Sequence, residues 1–174
     1  DPLVIAEIGI NHKGSLDSAI SIVDSAIKAG AEIIKHQTHV VDDEMAEAAK
    51  KVIPGNSNKS IYQIINEMAL SEVDEQKLMN YVINKKKIFF SSPFSRKAVD
   101  RLEKFGVPLY KIGSGECNNY PFVEYICKKK KMIAIITGDI INSRKGEVQT
   151  WLPLLKKVLN QYGQEPSDWE IFRG

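Results

Sequence analysis

Short apolar runs alternate with amphipathic stretches along nearly the whole chain, and this alternation limits the fold more than any other feature. Leu3–Ile10, Glu32–His39, Lys87–Phe94, Leu109–Ile112 and Met132–Thr137 read as strands. Between them, residues such as Leu16, Ala19, Ile20, Val23 and Ile27 recur at helical spacing. Strand and helix in strict succession define an α/β protein with a mostly parallel sheet. A (β/α)8 barrel and an open doubly wound sheet both satisfy that pattern. The strand ends favour the barrel. Four successive strands finish in polar groups suited to a ligand: Glu7, then Lys35 and Gln37, then Ser92, then Lys111, Ser114 and Glu116. A barrel gathers all its strand ends at one mouth, whereas an open sheet concentrates contacts at one crevice. A complete barrel takes about 250 residues. With 174 residues there is room for five or six strands, so the expected fold is a TIM-barrel type that is incomplete in this chain.

Local signals mark the helix limits. Ser15 is placed to cap the first helix and Gly30 to end it. Ser60 and Gln63 form a capping box ahead of a helix with Ile61, Ile64, Ile65 and Met68 on one side. Ser71 opens a further helix that turns Leu78 and Val82 inward, and Ser95–Gly106 is a helix facing in through Val99 and Leu102. Tyr120–Lys131 is another. In the last helix, Pro153 is tolerated only in the first turn, which predicts a start near Thr150. Trp169–Phe172 can begin a sixth strand. Val40–Ser60 is a long polar connection of the kind that serves as a lid or binding loop.

Twenty-four Lys and Arg against twenty-two Asp and Glu leave a net charge of +2, which favours neither nucleic acid nor an acidic membrane surface as a partner. The lysine runs at 85–87 and 128–131 fall at helix ends, where cations suit the macrodipole. Two cysteines, Cys117 and Cys127, are too few for a disulfide framework and fit a cytoplasmic setting.

Tyr110–Pro121 is the richest stretch: a strand delivers Lys111 and then opens into Gly113, Ser114, Gly115 and Glu116. Lysines on two strands with serine hydroxyls nearby suit a small phosphorylated or carboxylated anion. The alternatives are a lysine that pairs with Glu7 or Glu116 inside the barrel, or a lysine that forms a Schiff base. His12, His36 and His39 lie near the first two strand ends, but no spacing among them is diagnostic of a metal site; packing roles are the expectation. Gly113 and Gly115 lack the third glycine of a dinucleotide fingerprint, and Cys117 has no neighbouring His to activate it.

The ordered motifs Ala6–His12 with Gly14–Leu16, Ala29–Ala31 leading to Lys35–His39, Val52–Asn56, Ser92–Arg96 and Tyr110–Pro121 resemble the barrel domain of the N-acetylneuraminate (sialic acid) synthase family over residues 3–131. Members of that family condense phosphoenolpyruvate with N-acetylmannosamine and release phosphate. They use a divalent metal, Mn2+ or Mg2+, and are dimeric. The resemblance implies that Lys35, Lys111, Ser92 and Ser114 hold phosphoenolpyruvate. It further implies that Glu7, Gln37 and Asn56 place the sugar or order the site, with Glu7 and Glu116 as the catalytic carboxylates. Position 92 is more often Thr in the family; Ser keeps the hydroxyl.

Residues 132–174 depart from the family pattern, and their end resembles the start of the SatD family. The expected organisation is therefore a synthase-type barrel portion over 1–131 and a second segment over 132–174, fused to it or a divergent tail. A nucleotide-binding role for Asp139 is less expected than a turn role. The family's later His ligands are not found, so no metal ligands are expected within the chain, and activity of the chain alone is expected to be weak or absent. The rival readings are a non-catalytic anion-binding module and a half-barrel fragment whose open edges pair with another chain.

Overall fold

The computed structural model describes residues 4–136, 148–163 and 169–172. The chain divides into two compact units, Asp1–Val107 and Pro108–Gly174. The boundary between them falls ahead of β4.

The first unit carries three parallel strands, β1 (Ile5–Gly9), β2 (Ile33–Thr38) and β3 (Ile88–Pro93). Five helices accompany them: α1 (Leu16–Lys28), α2 (Val41–Glu44), α3 (Ile61–Met68), α4 (Glu72–Asn84) and α5 (Arg96–Phe105). Register places Glu7 beside Lys35, Lys35 beside Phe90 and Gln37 beside Ser92. Side chains alternate across a strand, so these residues share one face, while His36, Thr38 and Ser91 share the other. A bulge between Glu7 and Gly9 brings Gly9 opposite His36. Gly9 has φ +52°, the left-handed conformation that glycine adopts without strain.

The helix-facing side is packed by Ile8, Ala19, Val23, Ile34, Leu78, Val82, Phe89, Val99 and Leu102, all buried. The caps form as the sequence dictates. The hydroxyls of Ser15, Ser71 and Ser95 accept from backbone N–H groups of α1, α4 and α5, and Ser60 and Gln63 close both halves of a capping box. Gly14 is demanded by space as well as by φ: a Cβ there would meet the Glu67 carbonyl oxygen at 2.3 Å. That contact holds the β1–α1 loop against the end of α3.

Three expectations need correction. The 40–60 connection contains structure, the short α2 and a 3-10 helix at Glu47–Lys51, both amid charged residues that mask the periodicity. None of the apolar residues of α3 is fully buried, and Ile61 is 37% exposed, so its apolar face is only partly covered. The last helix starts earlier than Pro153 suggests.

In the second unit, β4 (Leu109–Ile112) is followed by a 3-10 turn at Ser114–Glu116 and α6 (Tyr120–Cys127). Then come β5 (Met132–Ile136), α7 (Val148–Gln161) and β6 (Trp169–Phe172). All three strands run parallel, with Lys111 beside Ala134 and Ile133 beside Trp169. The segment from Met132 thus lies alongside β4, where the next strand of a barrel belongs. Pro153 sits inside α7 and removes one intrahelical hydrogen bond there. Tyr110, Ile112, Val123, Ile126, Ile133, Leu155 and Leu159 are buried in this unit. The loop carrying Asp139 and Asn142–Arg144 lies outside the described residues. Among the described residues, no helix is long and apolar enough to cross a membrane.

Candidate functional site

Four of the residues singled out in the sequence meet on one face of the first unit. Lys35 is buried, and its Nζ lies 2.5 Å from Oε1 of Glu7, whose side chain is half exposed. A buried ammonium is costly unless paired, and this contact supplies the partner. The ion pair raised as an alternative from the sequence is therefore formed. It leaves the wall of Glu7, Lys35, Gln37 and Ser92 with no net charge. Gln37 is half-buried, with its side-chain oxygen 3.7 Å from where a Cβ on Gly9 would stand. Ser92 is buried, and its Oγ has no hydrogen-bond partner. Buried hydroxyls are nearly always bonded, so this one at a strand end retains the capacity to bond a ligand group or a water.

Asn56 is not brought to this wall by any described bond. It is exposed in a turn closed by Ser57 N–H donating to the Pro54 carbonyl.

Lys111, Ser114 and Glu116 belong to the second unit. Lys111 is the penultimate residue of β4 and is half-buried; Ser114 and Glu116 belong to the 3-10 turn that follows. The Glu116 carboxylate accepts from Asn119 Nδ2 at 2.9 Å. Cys117 is buried against this turn, its Sγ donating to the Gly113 carbonyl. Burial pushes its thiol up to about 12, and that of Cys127 up to about 11, so neither is a nucleophile at neutral pH.

Behind the wall, on the helix-facing side, lies a polar network. Gly14 N–H donates to His12 Nδ1 at 3.2 Å, which puts the proton of the neutral ring on Nε2. That Nε2–H meets His36 Nε2 at 3.2 Å, and His36 Nδ1–H then donates to Glu75 Oε1 at 3.1 Å. Thr38 Oγ1 also donates to Glu75 Oε1 and accepts from Ser91 Oγ at 2.7 Å. Arg101 closes the network on Glu75 Oε2 at 3.1 Å. Every member except Arg101 and Gly14 is essentially inaccessible to solvent.

Burial alone would raise the Glu75 carboxyl. The bonds from His36 and Thr38 and the Arg101 charge outweigh it and hold the group below the usual carboxylate range. His12 moves the other way: burial, then the neighbouring His36, lowers it from 6.5 to about 4. Its proton is bound more tightly in the unfolded chain, so the stabilisation is complete above pH 6.5 and is lost as pH falls toward 4. The loss amounts to about 3 kcal/mol. Denaturant titrations at pH 7.5 and 4.5 are expected to show this loss, and His12→Gln is expected to remove most of it; equal pH slopes in both proteins would contradict it.

A second, smaller cluster lies just beyond the end of β2. His39 Nδ1 donates to Glu44 Oε2 at 2.8 Å, and the ring stacks on Phe94 with centroids 4.5 Å apart and planes 12° apart. Glu75 and Glu44 are the residues that sequence reasoning missed. Glu75 had a signal: it lies three residues before Leu78 and seven before Val82, a carboxylate on a buried stripe. Glu44 is hidden in the acidic run that begins at Asp42. His12 and His36 are hydrogen-bonded and His39 is bonded and stacked; among the described residues no three His, Cys, Asp or Glu groups are placed to hold a metal ion.

A fold of parallel strands alternating with helices is of the (β/α)8-barrel type, incomplete in this chain. Solved structures share it. Sialic acid synthetase of Leptospira borgpetersenii superposes with a TM-score of 0.72 at 24% identity, covering 91% of this chain and 51% of that one. A putative spore coat polysaccharide biosynthesis protein E of Chromobacterium violaceum gives 0.79 at 20% identity, covering 98% and 48%. The sequence narrows the class. The model of the NeuB family matches residues 22–162, and the chain belongs to that family. The N,N'-diacetyllegionaminic acid synthase of Legionella pneumophila is 34% identical over 97% of this chain and 47% of its own length. The human N-acetylneuraminate-9-phosphate synthase is 31% identical over 78% and 38%. The chain spans about half, or less, of the length of these relatives. The family match continues past Lys131, where the quoted motifs end.

Proposed function

We propose that this chain is the phosphoenolpyruvate-binding part of a sugar-acid synthase of the sialic acid type. The observation that carries the reading is the shared face of Glu7, Lys35, Gln37 and Ser92, which bears both an enclosed ammonium and an unpartnered hydroxyl. Such a pair offers an anion one charged and one neutral donor in a place that water reaches poorly, where both bonds gain strength. Glu7, half exposed, is free to turn from Lys35 as the anion arrives. By family resemblance, Gln37 and Asn56 are candidates to orient the sugar, and Lys111 and Ser114 of the second unit are further candidate ligands of phosphoenolpyruvate. Relatives are named as synthases of N,N'-diacetyllegionaminic acid, pseudaminic acid and N-acetylneuraminate 9-phosphate, which supports a sugar-acid product of this kind.

The reaction is the attack of the enol carbon of phosphoenolpyruvate on the aldehyde of N-acetylmannosamine. Water adds to the resulting cation and phosphate leaves with its bridging oxygen. Glu116 is the carboxylate for proton handling, held in place by the bond it accepts from Asn119. A divalent metal, Mn2+ or Mg2+, would activate the aldehyde in the family reaction. His12 and His36 are committed to each other and to Glu75, so they do not fit such an ion. The functional unit is a homo-oligomer, with neither nucleic acid nor membrane as a partner.

Phosphate release from phosphoenolpyruvate and N-acetylmannosamine with Mn2+ is the test of this reading. The chain alone is expected to bind phosphoenolpyruvate and to turn over weakly or not at all; binding of neither substrate would overturn the reading.

A further inference from the structure

Two polar atoms at the ligand end of the first unit are enclosed and unpartnered: Ser92 Oγ and His39 Nε2. Ser92 lies on β3 in register with Gln37, and His39 is the first residue past the end of β2, two beyond Gln37. The ring of His39 stacks on Phe94, itself two residues beyond Ser92, and Phe94 N–H continues the ladder by donating to the Thr38 carbonyl. Ser92 shares the face of Lys35 and Gln37, and His39 follows the same alternation one residue past the strand, while still near enough to His12 to disfavour its protonation.

The state of the imidazole follows from its other nitrogen. Nδ1–H donates to the Glu44 carboxylate, so the neutral ring presents a lone pair at Nε2. Glu44 and Phe94 fix the ring in place and orientation, as a carboxylate fixes the histidine of many binding sites. Leaving a buried acceptor unmade costs about 1–3 kcal/mol. A fixed ring with an unmade bond is a group awaiting a hydrogen-bond donor. An anion brings only acceptors to this position, which Ser92 and Lys35 can answer and His39 cannot. What His39 needs is an O–H.

We infer that His39, held by Glu44, is a substrate-binding residue that accepts a hydrogen bond from a hydroxyl of the sugar co-substrate seated beside the anion. This assignment rests on the synthase reading above and adds a residue to it. Nε2 is enclosed in this conformation, so engagement entails a local opening around the ring.

Two substitutions separate this role from a structural one. His39→Gln places an amide oxygen near the position of Nε2 but gives up the bond to Glu44. His39→Asn keeps a donor near the position of Nδ1 but has nothing at Nε2. With phosphoenolpyruvate present, N-acetylmannosamine is titrated into the chain, and binding is followed by the 15N resonances of labelled histidine. In the unaltered chain, a saturable shift of His39 Nε2 is expected. His39→Asn is expected to weaken sugar binding by about tenfold, and His39→Gln to weaken it less. Should His39→Asn bind the sugar better than His39→Gln, the ring serves Glu44 alone and the inference falls. A His39 resonance unmoved by saturating sugar overturns it without any substitution, even if a variant fails to fold. In both cases phosphoenolpyruvate still binds and the synthase reading stands. If phosphoenolpyruvate does not bind the unaltered chain, that reading fails first and takes this one with it.

Discussion

Glu75→Ala is expected to lower the stability of the chain by about 3–5 kcal/mol, the range for removing one partner of a buried ionic network. The carboxylate is the only acceptor that the described bonds give to His36 Nδ1–H, Thr38 Oγ1–H and one Arg101 N–H together. Its loss strands three donors, two of them on side chains inaccessible to solvent. A natural domain has about 5–15 kcal/mol in all, so this one change approaches the whole margin of a weakly stable protein. Glu75→Gln keeps an acceptor for His36 and Thr38 but turns a neutral amide toward Arg101, and a smaller loss is expected. Urea unfolding of the three proteins at pH 7.5 measures the effect. A loss under about 1 kcal/mol for the alanine variant would mean that the network is not formed as described.

Lys35→Met is expected to act on binding and hardly on stability. The methionine fills most of the volume of the lysine stem, and the Glu7 carboxylate left behind is half exposed, so water can solvate it. The ligand has no such recourse. It loses a charge-assisted bond in an enclosed place and faces an unneutralised Glu7, which together are worth about 3 kcal/mol or more, or at least about a hundredfold in affinity. Paired titrations of phosphoenolpyruvate and inorganic phosphate into the two proteins, with unfolding curves as a control, check this. Equal affinities would remove Lys35 from the site.

The contrast between these substitutions shows what the sequence disclosed and what it did not. Alternation along β2 was enough to separate Lys35 and Gln37 from His36 and Thr38, because strand period is set by the backbone. The caps at Ser15, Ser60, Ser71 and Ser95 were legible for a similar reason: they depend on residues three or four positions away. The network around Glu75 was not. Its members come from the β1–α1 loop, β2, β3, α4 and α5, and only the folded register brings them together. Glu44 was lost in an acidic run for the same reason, since its meaning depends on His39 standing across a turn. Pro153 shows a local rule overruled, as α7 begins five residues before it and accepts the missing bond. Family resemblance supplied roles that spacing left open, including the choice between an anion-binding lysine and a Schiff base.

The central claim is that the face bearing Glu7, Lys35, Gln37 and Ser92 takes phosphoenolpyruvate, and a calorimetric titration of phosphoenolpyruvate into the unaltered chain addresses it most directly. Saturable one-to-one binding, competed by inorganic phosphate and lost in Lys35→Met, is the predicted result. No detectable heat from a folded chain, or binding that survives Lys35→Met unchanged, would contradict it.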